Sequence, residues 1–175
     1  MISGSPHLNQ QAEERNHKVL MGTLDYQINF NDGNSSIISY LATQLTDRSH
    51  YTGIFPDEED EINTNLNNPP YGTSTSNTFQ IGIQLNHKFN NFFNGANVIT
   101  LGSEILEDKV LDEISSYNYK IDQTSKSIGF FLQSDWEISP KINLLSGVRV
   151  DKHNFLENLI VSPRISTLYK PISNL

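Results

Sequence analysis

Apolar and polar residues alternate with period two along four stretches of this chain, and the connections between its strands are alternately short and long. The clearest stretch is Ser127 to Ile138. Ile128, Phe130, Leu132, Trp136 and Ile138 share one face, broken only by Ser134; Ser127, Gly129, Gln133, Asp135 and Glu137 share the other, with Phe131 as the exception. Successive side chains of a strand point to opposite faces, so the pattern makes a ribbon with one greasy and one wet side. The rhythm of the connections constrains the fold further. A transmembrane β-barrel keeps tight turns at one rim and long loops at the other, whereas a soluble sandwich has no reason to sort them.

The first strand is expected over Val19 to Phe30, with Leu20, Leu24, Tyr26, Ile28 and Phe30 opposed to Thr23, Asp25, Gln27 and Asn29. Asn31-Asp32-Gly33-Asn34 then supplies residues that tolerate the positive φ of a tight hairpin. A second strand near Ser36 to Thr46 is rich in β-formers but shows no clean face. Strand three, Thr78 to Phe89, sets Phe79, Ile81, Ile83, Leu85 and Phe89 against Gln80, Gly82, Gln84, Asn86 and Lys88. A turn over Asn90 to Gly95 leads to strand four, about Asn97 to Leu106. Ser139-Pro140-Lys141 turns strand five into strand six, where Ile142, Leu144, Val148 and Val150 oppose Asn143, Gly147, Arg149 and Asp151. A seventh strand runs to Lys170. Residues 1–18 are expected to be a polar segment of an outer loop, and long outer loops are expected near 47–76, 107–124 and 151–161. The fold class is all-β: an antiparallel up-and-down meander, a partial and open segment of a large transmembrane barrel.

Composition agrees with strands wetted on one face. Hydrophobic residues are 36% and aromatic residues 10% of 175. No run approaches the ~18 uninterrupted apolar residues of a membrane-spanning helix, a test that barrel strands escape because only alternate residues meet lipid. Met1 to Lys18 has no apolar h-region and is not a secretory signal, so a barrel reading implies an internal piece of a longer protein. Zero cysteines excludes a disulfide framework and thiolate metal sites. A net charge of −8 with no basic patch argues against nucleic acid as a partner. Phe30, Phe89, Phe92, Phe93, Trp136 and Tyr169 all lie beside short turns, as an aromatic girdle at that rim would; aromatics also favour strands in general.

Catalytic chemistry finds no support. There is no glycine-rich phosphate loop, no G-x-S-x-G elbow, no H-E-x-x-H and no EF-hand loop, so no catalytic residue and no cofactor is assigned. The histidines are dispersed, and His87, on the apolar face of strand three, suits an interfacial position better than a metal site. Arg149 with Asp151, and Lys88 or Arg164 on other polar faces, suit lumen-lining positions. The acidic run Asp57-Glu58-Glu59-Asp60-Glu61 is the one candidate calcium site, because Ca²⁺ takes clustered carboxylate oxygens. It lacks a turn-setting glycine and a fixed ligand spacing, and a solvated acidic loop is the more economical reading. Tyr51, Tyr71, Tyr117 and Tyr119 fall in the long loops, where they could contact a ligand or pack the loops.

Thr46-Asp47-Arg48-Ser49-His50-Tyr51-Thr52-Gly53 resembles a strand-to-loop signature of TonB-dependent outer-membrane receptors of the Bacteroides type. So do Tyr119 to Thr124 followed by Gly129 to Trp136, and, most strongly, Gly147-Val148-Arg149-Val150-Asp151-Lys152-His153-Asn154-Phe155 with Ser162-Pro163-Arg164, Tyr169-Lys170-Pro171 and Asn174-Leu175. The resemblance covers most of Met21 to Leu175 in chain order. It implies a barrel of about 22 strands, plugged by an N-terminal domain, that imports a scarce nutrient (siderophore-iron, haem, cobalamin or glycan) across the bacterial outer membrane. This chain would be a middle section of about seven strands, without signal, energy-coupling box or plug. The implied partners are outer-membrane lipid, the plug and remaining strands of the parent chain, the TonB complex through the N-terminal region, and the nutrient ligand. A soluble β-sandwich that binds carbohydrate, and a passive porin or surface structural barrel, are the alternatives; a sandwich would pack its apolar faces on each other.

Overall fold

The computed structural model describes residues 11–54 and 59–171. They form seven strands, β1 (Gln11–Phe30), β2 (Ser35–Ile54), β3 (Tyr71–Phe92), β4 (Gly95–Ile114), β5 (Tyr119–Ser139), β6 (Ile142–His153) and β7 (Ile160–Tyr169), with one helix, α1 (Glu59–Asn67), between β2 and β3. All seven belong to one sheet in the order β1-β2-β3-β4-β5-β6-β7, an antiparallel up-and-down meander. A sandwich needs a second sheet to cover the first, and none is present among the described residues. Among the described residues no helix is long and apolar enough to cross a membrane.

The dyad pattern sets the faces. β5 and β6 pair Phe130 with Val150 and Leu132 with Val148, while Gly129 faces Asp151 and Phe131 faces Arg149. β6 and β7 continue without a slip from Ile142↔Tyr169 to Asp151↔Ile160. A one-residue slip would send every apolar side chain to the wet face, so the pattern pins the register. The apolar residues are exposed: Ile83 retains 54%, Phe130 59% and Leu132 48% of its surface. Tyr51 is the single buried hydrophobic core residue among the described residues. The sheet presents its apolar face outward instead of burying it, as a sheet made for lipid does.

The short turns occupy residues 31–34, 93–94 and 140–141. In the first, Asn31, Asp32 and Gly33 all take positive φ and the Asn34 N–H donates to Asn31 O at 3.0 Å. The other connections differ from expectation in length. β1 already begins at Gln11, within the expected polar segment 1–18. β2 continues to Ile54 and β3 starts at Tyr71, so only residues 55–70, including α1, connect them. The expected loop 107–124 is mostly strand, with Ser115–Tyr117 as a single 3-10 turn and Asn118 in the left-handed region. The third connection is residues 154–159. Strands of 20 to 22 residues are twice the ~9–11 that a bilayer requires. Past the regular stretches the alternation disappears from the sequence while the strands continue.

Contacts within the chain group into two units. One holds the chain up to Gly22, Thr43–Thr78 with α1, and Asp108–Thr124; the other holds Thr23–Ala42, Phe79–Glu107 and Ser125 onward. The second contains the short turns and the aromatic cluster. Phe92 meets Trp136 edge-on at 5.6 Å and Phe93 at 4.9 Å, and Phe89 lies 6.1 Å from Phe92.

Candidate functional site

The polar face of the short-turn unit is a hydrogen-bonded network. Glu104 on β4 sits at its centre. It accepts from the Tyr40 hydroxyl on β2, from Gln80 Nε2 on β3 at 2.9 Å and from Arg149 Nη2 on β6 at 3.1 Å. Arg149 Nε also donates to both oxygens of Asp151 at 2.9 Å. The Arg149–Asp151 pair noted in the sequence is therefore an internally satisfied ion pair, and Lys88 and Arg164 take no part in it. Nearer the short turns, Asn86 donates to Ser36 Oγ at 3.1 Å and accepts from Gln84 at 2.8 Å and Thr100 at 3.0 Å. Phe131, the apolar exception on this face, lies against Gly102.

The apolar face carries two polar pairs, both satisfied. Asn97, 1% exposed, and Ser134 exchange hydrogen bonds at 2.9 and 3.1 Å, which accounts for the one break in the β5 stripe. His87 shares a 2.7 Å hydrogen bond with Ser35 and sets its ring edge-on to Phe89 at 4.4 Å. A buried polar group costs ~1–3 kcal/mol when unpaired, so each residue on this face needs the other.

The long-loop unit holds the four tyrosines. Tyr51, near the end of β2, is 1% exposed and packs on Tyr71 with ring centroids 5.0 Å apart. Asn65 of α1, also buried, faces its hydroxyl. Burial pushes the Tyr51 phenol above its usual range, and the neighbouring Tyr71 and Tyr117 reinforce the shift. Tyr51 is therefore the anchor of the cluster and not an open contact surface. Tyr71 and Tyr117 are exposed beside it; Tyr119, at the start of β5, is exposed as well. Arg48 Nη2 approaches Asp112 Oδ1 at 3.6 Å, too far for a hydrogen bond. Ring packing of Tyr51 on Tyr71 and the approach of Asn65 to the Tyr51 hydroxyl hold this cluster together.

Of the acidic run, Asp57 and Glu58 lie outside the described residues. Glu59-Asp60-Glu61 opens α1, where the partial positive charge of a helix N-terminus favours acidic residue types. Among the described residues no group of three His, Cys, Asp or Glu could hold a metal ion. Sequence reasoning placed Gln80 on the polar face of strand three but missed Tyr40 and Glu104. Their strands β2 and β4 show no clean alternation, and side chains two strands apart cannot be matched without the register. Glycines at inward positions of otherwise regular strands, Gly82 and Gly129, were the available signal.

Over residues 3–175 the sequence matches the family described as TonB dependent receptor-like, beta-barrel. No curated protein matches. Among solved structures, the complex of FpvAI with pyocin S2 is similar at a TM-score of 0.59 and 13% identity, covering 89% of this chain and 24% of that one. The siderophore receptor PirA from Pseudomonas aeruginosa is similar at a TM-score of 0.53 and 16% identity, covering 86% and 24%. The chain thus spans about a quarter of each of these proteins.

Proposed function

This chain belongs to the TonB-dependent receptor-like β-barrel family, and from that premise we propose that its parent protein is a ligand-gated importer, energised from the inner membrane, for a scarce nutrient. The chain is part of an outer-membrane receptor of a bacterium; its apolar face is the lipid face, and its hydrogen-bonded polar face lines the lumen. The observation that carries the import reading is the tyrosine cluster of the long-loop unit. Tyr51, fixed against Tyr71 and Asn65 of α1, anchors the exposed Tyr71 ring at the start of β3, a strand longer than any bilayer needs, with the exposed Tyr117 nearby in the 3-10 turn Ser115–Tyr117. Such rings give stacking area and hydroxyls to a large polar ligand. The similarity to the siderophore receptor PirA favours an iron chelate among such ligands; haem, cobalamin and glycans have the same physical requirements. The plug and the TonB complex are the partners that this transport needs.

The test is uptake by the parent receptor with residues 59–70 replaced by a short turn. Ligand capture should fall while barrel insertion is kept, because surface loops contribute little to the ladder. Uptake by the intact parent should stop when the inner-membrane energy supply is collapsed. Uptake that persists in proportion to concentration means a passive porin and refutes the proposal.

A further inference from the structure

Adjacent strands lie about 4.8 Å apart, so second neighbours are roughly 10 Å apart and their side chains do not ordinarily meet. On the polar face two such meetings converge on one carboxylate. Tyr40 on β2 crosses β3 to reach Glu104 on β4, and Arg149 on β6 crosses β5 to reach the same Glu104. Each crossing passes over a glycine. A Cβ added at Gly82 on β3 would lie 2.4 Å from Tyr40 Cζ, and one added at Gly129 on β5 would lie 2.4 Å from Asp151 Oδ1 and 2.6 Å from Arg149 Nη2. Any other residue at either position closes the gap. Gln80 from β3 donates to the hub Glu104 itself, and Asp151 from β6 holds the Arg149 end in place.

We propose that Glu104 is the hub of a lumenal brace that couples β2 to β6 through side chains, independently of the backbone ladder between them. Backbone hydrogen bonds join each strand to its neighbour only. A side-chain path from Tyr40 through Glu104 to Arg149 makes the five strands β2 to β6 resist separation as one panel. Two arms on a single acceptor are energetically linked: removing either releases the hub and weakens the other. Two residues four strands apart should therefore behave as interacting neighbours, although well-separated residues normally contribute additively.

The experiment is a double-mutant cycle in the full-length parent receptor, assembled in the outer membrane and then extracted in detergent. Tyr40→Phe and Arg149→Lys are made singly and together, in the Glu104 parent and in Glu104→Gln. The readout is the temperature at which the folded electrophoretic band converts to the unfolded one. With Glu104 present, the double variant should shift by clearly less than the sum of the single shifts; in Glu104→Gln the two shifts should become additive and small. Gly129→Ala should reproduce Arg149→Lys, whereas Gly22→Ala, whose added Cβ has no neighbour closer than 4.0 Å, should change nothing. If a variant is not assembled, hydrogen exchange on the parent and Tyr40→Phe alone decides the matter: the brace requires faster exchange in β6 as well as β2. Additive shifts with Glu104 present, or exchange altered only in β2 and β3, would overturn the proposal.

Discussion

Replacing Ile83 by arginine tests which face of the sheet meets lipid. Ile83 stands between Ile81 and Leu85 on the apolar face of β3 with 54% of its surface exposed. Six positions separate it from Phe89 beside the short-turn rim. At about 3.3 Å per residue and a tilt of about 45°, that is a rise of about 14 Å, the middle of an apolar band about 25 Å tall. Arginine at the midplane costs about 2–4 kcal/mol, a fall of about 30- to 700-fold in the folding equilibrium. Gln84, the next residue, points to the opposite face and donates to Asn86 Oδ1 at 2.8 Å. Gln84→Arg forfeits that bond, ~1 kcal/mol, and places its charge in a wet lumen. The assay is the folded fraction of the full-length receptor at equilibrium with lipid vesicles, read by heat-modifiable mobility. Ile83→Arg should lose far more folded receptor than Gln84→Arg; equal losses, or the reverse order, would refute the assignment of faces.

Ser134→Ala leaves the buried Asn97 amide without its partner, and should destabilise the barrel by ~1–3 kcal/mol; adding Asn97→Leu should recover part of that loss in the same folding assay. Tyr51→Ala removes the anchor of the outer cluster, a change of ~3–5 kcal/mol for a buried aromatic. Hydrogen exchange should rise in residues 43–54 and 71–78 and stay unchanged in the β5–β6 hairpin. The Tyr51 phenol has a raised pKa, so its protonated form is favoured by folding. Its stabilising contribution is complete below the ordinary tyrosine range and is lost as pH climbs toward the folded value. Ultraviolet titration of the receptor should therefore show a late-titrating tyrosine that Tyr51→Phe removes.

Legibility in the sequence follows the physics of the two faces. β3 and β5 were plain because lipid demands an apolar residue at every second position, from Phe79 to Phe89 and from Ile128 to Ile138. β2 lacked a clean face because Ser39 and Thr43 interrupt its outward side while Ile38, Tyr40 and Ala42 occupy the other. The extensions of β2, β4 and β5 resembled loops because their sequences there carry no sustained alternation of apolar and polar residues. The loop tyrosines were identifiable by residue type, but Tyr51's burial depends on α1 and Tyr71, which only the fold brings to it. The Glu104 network was the least legible part. Tyr40, Glu104 and Arg149 lie 45 or more positions apart, and their meeting depends on the register of five strands.

The central claim is that one face of this sheet meets lipid and the other lines a wet lumen. The chain contains no cysteine, so a single cysteine placed in it reports on its own position, with any cysteines elsewhere in the parent receptor replaced first. Each is then exposed to a membrane-partitioning thiol reagent or to an impermeant aqueous one. Positions 79, 81, 83, 85, 128, 130 and 132 should react with the lipid-phase reagent, and positions 80, 84, 133 and 135 with the aqueous reagent. A pattern without period two, or one with the two sets exchanged, would contradict the claim.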